Sequence, residues 1–423
     1  MTSVRPKRPR RAVAVGSRLL AVGALAATVA ACTGEGSKSA DASRGASPKT
    51  SATASATAAP KPPAAADGTA VRAAPGSGRL LKAVELPASA RPHGGPGHVV
   101  TYTSTGADGG RVTVSGMVFA PAGKPPKGGW PVISLAHGTV GNADICAPSR
   151  VDAREFAGNP EIRGWLHRGV AVVATDYEGL GTPGPHPYLH ARSAAYGTID
   201  IVRAARQAGI GTSGTWVVTG QSQGGHAAIS TAVYATRYAP ELDYRGAVAT
   251  APPTTMSRLV SDRSHSASEE RVIRTALYPL VTDGLRALGP RYDYSGLFSA
   301  KARALAPAAR EKCLSGLFEE VARAGLNDDN VWKQRPETAP GLLNALRRHT
   351  DVPVVRLDRP LFIGQGAKDE IVQAPVVAAY ADALRKAGSP VTYREYPAAT
   401  HLTVMEAAEA ETTAWLAARL GVR

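Results

Sequence analysis

The stretch GQSQGG, Gly220 to Gly225, stands between TWVVT and an alanine-rich run with helical character. A serine held at a turn from strand to helix has its hydroxyl pushed clear of the backbone, ready for attack on an electrophilic carbon. In a chain with 44 glycines the pattern G-x-S-x-G alone carries little, so its surroundings must decide. A serine hydroxyl is a poor nucleophile until a base takes its proton, and that base must be oriented by an acid. Two later loops offer both groups. PLFIG is followed by QGAKDEIV, which places Asp369 beyond a strand, and VTYREY is followed by PAATHLTV, which places His401 beyond the next. His401 is then the expected general base and acid, with Asp369 holding its tautomer; Glu370, one residue on, is the rival acid.

Attack on a carbonyl builds an oxyanion that needs two backbone N–H donors. Gln223, directly after the serine, is the first expected donor. The second is expected from the loop AHGTVG after PVISLA, where Thr139 is the choice and Gly138 stands beside it. The other histidines are expected to have different duties. His137 reads as structural, and His226, one helical turn past Ser222, reads as a packed helix residue. His186 and His190 are separated by Pro187, so no helix presents them jointly to a metal. No metal and no other cofactor is expected.

These residues need a scaffold. Residues 98–119 alternate apolar and polar positions on both sides of Gly-Ala-Asp-Gly-Gly, the pattern of an antiparallel hairpin. Short apolar strands follow at 131–136, 170–175, 215–219, 245–250, 360–364 and 391–396, with helices expected at 191–208, 223–238, 374–387 and 404–419. Strands alternating with helices predict a mostly parallel sheet covered on both faces. With the antiparallel hairpin leading in, the expected architecture is an α/β-hydrolase fold. Ser222, Asp369 and His401 then follow strand ends in the chain order serine, acid, histidine that this fold uses, on the side where open α/β sheets bind ligands. From about 253 to 351 only helical patterns occur. In ERVIRTALYPLV, for example, Val272, Ile273, Ala276, Leu277, Leu280 and Val281 form one stripe. That segment is expected to be a helical cap over the strand ends, the alternative being a helical domain that folds separately.

The N-terminal end has another composition. Six basic residues and no acid precede a 13-residue uncharged run, Leu19 to Ala31. This is a secretory signal, too short for a comfortable membrane span. It ends in VAAC, so residues 1–31 resemble a bacterial lipoprotein signal peptide and Cys32 a lipidated N-terminus, a membrane anchor. A plain signal cut nearby is the alternative, and Arg10-Arg11 leaves the twin-arginine route open beside the general one. Residues 32–78, rich in Ser, Ala, Thr, Pro and Lys, bury too little to offset ordering entropy and are expected to be a disordered tether. The catalytic domain is expected over 79–423. Of the formal +15, the signal holds +6 and the tether +2, leaving +7 for that domain. No basic stripe interleaved with aromatics appears, so nucleic acid is not an expected partner; a monomer acting on an ester or lipid is. With Cys32 lipidated, Cys146 and Cys313 remain, an even pair in an exported chain: a disulfide or two buried thiols. The run EKCLSGLFEEVARAGL puts Cys313 on the apolar face of an expected helix.

GQSQGG, AHGTVGNADICAPS, ATDYEGLGTPGPHPYL and the GAKDEIV…ATHL ending together resemble the secretory lipase family (fungal lipase A-like) over roughly residues 80 to 423. The resemblance implies a cap-bearing α/β-hydrolase that cleaves carboxylic esters, acylglycerols among them. It also implies that the cysteine of CAPS joins a disulfide reaching the cap, which favours pairing Cys146 with Cys313. Two other readings stand beside it. A serine peptidase on the same fold needs cap acids facing a substrate amine, and Glu269 with Glu270, or Glu319 with Glu320, are available. A non-catalytic solute-binding lipoprotein shares the signal, tether and Cys32 but leaves the order Ser, Asp, His unexplained.

Overall fold

The computed structural model describes residues 73–151, 158–261 and 269–422. The expected signal 1–31, Cys32 and most of the tether lie outside them. Nine strands are described: β1 (Leu80–Glu85), β2 (Gly97–Thr105), β3 (Arg111–Phe119), β4 (Trp130–Ala136), β5 (Ala171–Thr175), β6 (Thr212–Gln221), β7 (Asp243–Thr250), β8 (Leu361–Gly366) and β9 (Val391–Tyr396). They form one sheet in the order β1-β2-β3-β5-β4-β6-β7-β8-β9. The β1-β2, β2-β3 and β3-β5 pairs are antiparallel, and every pair from β5 to β9 is parallel. The expected hairpin closes with Thr105 opposite Arg111. The α/β-hydrolase architecture read from the pattern is the one observed.

Strand periodicity explains why the central strands read as unbroken apolar runs. Val132, Trp216, Val218, Ala247, Ala249, Leu361 and Ile363 join one core, while Ile133, Val217, Val248 and Phe362 join another on the opposite face. Successive side chains of a strand point to opposite faces, so strands covered on both sides are apolar at most positions. The first face is covered by the helices Ala191–Gln207, Gln223–Tyr238 and Ala374–Lys386, and the second by the helices Pro160–His167 and Val404–Leu420. The helices are α1 (Pro160–His167), α2 (Ala191–Gln207), α3 (Gln223–Tyr238), α4 (Met256–Leu259), α5 (Glu269–Arg286), α6 (Ala300–Arg303), α7 (Ala308–Glu311), α8 (Leu314–Arg323), α9 (Pro340–His349), α10 (Ala374–Lys386) and α11 (Val404–Leu420).

Between β7 and β8 the described residues hold helices α4 to α9, short 3-10 turns and a single bridge, Phe298 to Trp332. Their buried side chains, Ala276, Leu280, Leu317, Val321 and Leu346 among them, are continuous with the first core of the sheet. The insertion therefore shares the main hydrophobic core.

Some sequence expectations need correction. Strand β1 was not expected: LLKAVE is an edge strand, mostly exposed, and carries no clean alternation. Helix α1 was not expected either; its Asn159 cap accepts from Glu161 N, and it buries Ile162, Trp165 and Leu166. Residues 73–78, assigned to the tether by composition, are folded. Ala74 is buried and its N–H donates to Thr105 Oγ1 at 2.9 Å, and Gly78 N donates to Thr103 O at 2.6 Å. Small residues can pack through their backbone, which composition does not register. Cys313 stands at the N-cap position of α8, one residue before the helix, and its side chain makes no cap hydrogen bond.

Candidate active site

Ser222 links β6 to α3, at φ 57° and ψ −120°. A non-glycine residue at positive φ is strained and persists only where its surroundings over-determine it. Here Ser222 N donates to Thr250 O at 3.0 Å, and Ser222 O accepts from His226 N at 2.9 Å. The flanking glycines are required by contact. A Cβ on Gly224 would lie 1.9 Å from Ala136 O, and one on Gly220 2.5 Å from the Gly224 carbonyl. Ala136 ends β4 in register with Gly220, so the turn is wedged against the neighbouring strand end.

The structure brings three of the expected residues into one hydrogen-bonded chain. Ser222 Oγ is 2.9 Å from His401 Nε2, and His401 Nδ1 is 2.8 Å from Asp369 Oδ2. Asp369 and His401 are both buried. Asp369 Oδ1 accepts from Ile371 N at 2.9 Å and Val372 N at 2.7 Å, and Oδ2 also accepts from Gln365 Nε2 at 3.1 Å. Since Asp369 only accepts, His401 Nδ1 carries the proton and Nε2 faces the serine hydroxyl as acceptor. Burial of the ring opposes its protonation. The Asp369 carboxylate, by charge and by hydrogen bond, and the Glu270 carboxylate outweigh it and hold His401 above the ordinary histidine value. Glu370 does not replace Asp369 at the ring; its backbone N–H donates to Glu270 Oε2.

Gln223 is the first residue of α3 and is buried. Gly138 and Thr139 follow β4, and the same Gly224 contact reaches His137 O at 3.0 Å, so their loop runs beside the start of α3. That loop is held by several groups. His137 Nδ1 donates to Gly138 O at 2.7 Å, Tyr177 OH donates to His137 O at 3.0 Å, and Thr139 Oγ1 lies 2.6 Å from Tyr188 OH. Burial pushes His186 down to about 4. Its Nδ1 donates to Glu178 O at 2.7 Å, leaving Nε2 to accept from the Gln223 amide at 3.2 Å. His226 is fully buried and donates to Thr350 O at 2.7 Å; His190 caps α2. A narrow cavity opens beside Ser222, lined mainly by apolar side chains such as Met256, Leu259, Leu277, Val281 and Ile371.

Sequence reasoning missed two residues at this site, Gln221 and Gln365, and gave a third, Glu270, a different role. Gln221 Nε2 donates to His401 O at 3.1 Å, Gln365 supports Asp369, and Glu270 accepts from His401 N at 3.0 Å. Gln221 lies inside the motif itself, where a polar side chain beside the nucleophile is a readable signal; the other two have none. Cys146 and Cys313 form a disulfide, with Cα atoms 5.4 Å apart.

Sheet order, insertion and the position of the serine turn define an α/β-hydrolase. The family model described as Secretory lipase matches residues 159–284, a span that includes Ser222, and bears out the resemblance read from the motifs. Among solved structures, Candida antarctica lipase A in its closed state is similar at 20% identity, covering 82% of each chain with a TM-score of 0.64. The rice cell wall degrading esterase LipA from Xanthomonas oryzae is similar at 20% identity, covering 82% of this chain and 97% of that one with a TM-score of 0.65. A putative hydrolase from Legionella pneumophila has 17% identity, a TM-score of 0.58 and coverage of 81% and 98%. No curated protein sequence matches the chain. The family match and these neighbours support a lipase or esterase hydrolase.

Proposed function

We propose that the chain is an exported serine hydrolase of carboxylic esters. Ser222 Oγ attacks the ester carbonyl while His401 Nε2 takes its proton; Asp369 stabilises the imidazolium that forms. The backbone N–H groups of Gln223 and Thr139, with Gly138 giving the second its approach, receive the oxyanion. His401 returns the proton to the departing alkoxide, leaving an acyl group on Ser222. A water molecule, deprotonated by His401, then releases the acid. The apolar cavity beside Ser222 suits an acyl chain, with the helical segment 253–351 acting as a cap. The disulfide is consistent with export, and anchoring through a lipid on Cys32 is part of the same proposal. Two acyl chains suffice for stable membrane attachment.

The observation that carries this reading is the continuous chain from Ser222 through His401 to Asp369, ending at a strained serine turn. Two of the four acids that the peptidase reading needs, Glu270 and Glu320, are already engaged. Both oxygens of Glu270 are engaged by backbone N–H groups, and Glu320 pairs with Lys312 and Arg323. The test compares wild type and Ser222→Ala on p-nitrophenyl acyl esters and on aminoacyl anilides, with a fluorophosphonate probe for the serine. Ester turnover should fall about 10⁶-fold in the variant, and the probe should label only the wild type. Efficient Ser222-dependent cleavage of anilides with slow ester turnover would reverse the assignment.

A further inference from the structure

Helix α5 belongs to the insertion, yet its first turns grip the loops that carry Asp369 and His401. Glu270 is buried; its Oε1 accepts from His401 N at 3.0 Å and its Oε2 from Glu370 N at 2.9 Å. Arg274, one turn further on the same face, donates to Glu370 O at 3.4 Å and is itself paired with Asp328. Both backbone groups of the residue after Asp369 are thus held from α5. The two loops are also joined directly, by Ala367 N to Tyr396 O at 3.0 Å and Lys368 N to Ala399 O at 2.9 Å. Those bonds fix the strand ends, whereas Glu270 takes the N–H of the histidine itself. An ionised carboxylate only accepts, and its two oxygens stand at one fixed separation. A donor from each loop, one on each oxygen, sets the distance between the loops.

We propose that Glu270 is a positioning residue: its carboxylate, supplied by the insertion, sets the spacing of the acid-bearing and histidine-bearing loops, so that the Ser222–His401–Asp369 chain is complete only with α5 seated. This rests on the serine-hydrolase reading of the site. It has two separable consequences. One is geometric, because a misplacement of about 1 Å at reacting groups costs about 100-fold in rate. The other is electrostatic. The acidic groups facing His401 are Asp369 from the β8 loop and Glu270 from α5, and each favours the imidazolium; the Arg274–Asp328 pair lies one turn away, against Glu370.

The experiment measures ester kcat, KM and the pH profile of kcat/KM for wild type, Glu270→Ala and Glu270→Gln in the full chain, well below each variant's Tm. Glu270→Ala should lose about 100-fold in kcat with KM changed much less. Glu270→Gln keeps one acceptor oxygen and the side-chain volume, so it should recover about tenfold of that loss. It lacks the charge, however, and its acid limb should move to lower pH. Purely structural support would lower Tm and leave kcat, measured on the folded protein, unchanged. If Glu270→Ala does not fold, Glu270→Gln alone decides. Wild-type kcat in folded Glu270→Gln overturns the positioning role, whether or not the acid limb moves, because loss of the charge alone moves the limb. A wild type whose Ser222 fails to react with a fluorophosphonate overturns the hydrolase reading, and the positioning role with it.

Discussion

The serine and its two partners are held in different ways. Ser222 is fixed within its own neighbourhood: a strand end, a helix start, two glycines without room for a Cβ, and backbone bonds to Thr250 and His226. Asp369 and His401 lie on loops whose geometry is completed by side chains from elsewhere, Gln221 from the serine turn and Glu270 from α5. Glu270 precedes His401 by 131 residues. The nucleophile's position is thus a local property of the sheet, while the base and acid are placed by assembly. Perturbing the serine turn should therefore damage fold and rate together, whereas perturbing the acid should damage rate with the fold intact.

The largest effect on that second side is expected from Asp369→Asn. Oδ1 receives two backbone N–H groups, from Ile371 and Val372, so the asparagine oxygen must take that place. Its NH₂ group then falls at the Oδ2 position, facing His401 Nδ1 and the Gln365 amide. A donor there forces the histidine proton onto Nε2, where it cannot accept from Ser222, and turnover should drop about 10⁴-fold. Glu370→Gln should change turnover little, and an equal loss there would move the acid role to Glu370. In the wild type the acid limb should be displaced upward from that of an ordinary histidine, because the raised pKa keeps His401 protonated, and useless as a base, up to higher pH. Asp369→Asn, lacking the charge, should shift whatever limb survives downward.

On the serine side, Gly224→Ala should break both properties. Its Cβ would meet Ala136 O at 1.9 Å and Ala136 C at 2.7 Å, backbone atoms at the end of a central strand. Overpacking costs typically about 1–3 kcal/mol or more, and the displaced strand end leads into the loop of Gly138 and Thr139. A shift of about 1 Å there should cost about 100-fold in rate. Gly214→Ala is the control, since its Cβ meets nothing within 4 Å. Thermal melts and ester turnover measured together check the pair. A Gly224→Ala protein with wild-type Tm and rate would show that the serine turn is not locally fixed.

The same division governs what the sequence disclosed. The serine turn was legible because strand, glycines, serine and helix are contiguous, and the central parallel strands because burial on both faces makes most of their residues apolar. The order of Asp369 and His401 followed from strands that each end in a loop. Strand β1 and helix α1 were not legible: an exposed edge and a helix of eight residues carry too little periodicity. Glu270 was legible only as a charge. Nothing near it in the chain signals that its oxygens are spent on two backbone N–H groups, and reading it as a candidate for a substrate amine followed from that. Gln365 was hidden for the same reason, as a polar residue within a buried strand whose partner lies on the following loop.

The smallest effect on rate is expected from the disulfide, although it looks like the strongest tie between the two regions. Cys146–Cys313 spans 167 residues, and in the chain-entropy model such a bridge stabilises the fold by about 5 kcal/mol. It connects the β4 loop, which carries Gly138 and Thr139, to the start of α8. The same junction is held without it. Leu314 N donates to Val140 O at 2.8 Å, and Asn142 Nδ2 donates to Leu280 O at 3.1 Å and to Asp283 Oδ2 at 3.2 Å. Reduction removes a constraint that acts mainly on the unfolded chain, while these bonds keep the loop in register in the folded one. Cys146→Ser/Cys313→Ser should therefore melt at clearly lower temperature yet keep turnover, measured well below its Tm, within about tenfold of wild type, against the roughly 100-fold that a 1 Å displacement brings. Following esterase activity and far-UV circular dichroism together during titration with a reductant checks this. A fall in activity of 100-fold or more while the dichroism holds would mean that the bridge itself, rather than the bonds beside it, positions the β4 loop. In that case the serine side of the site, too, depends on the insertion.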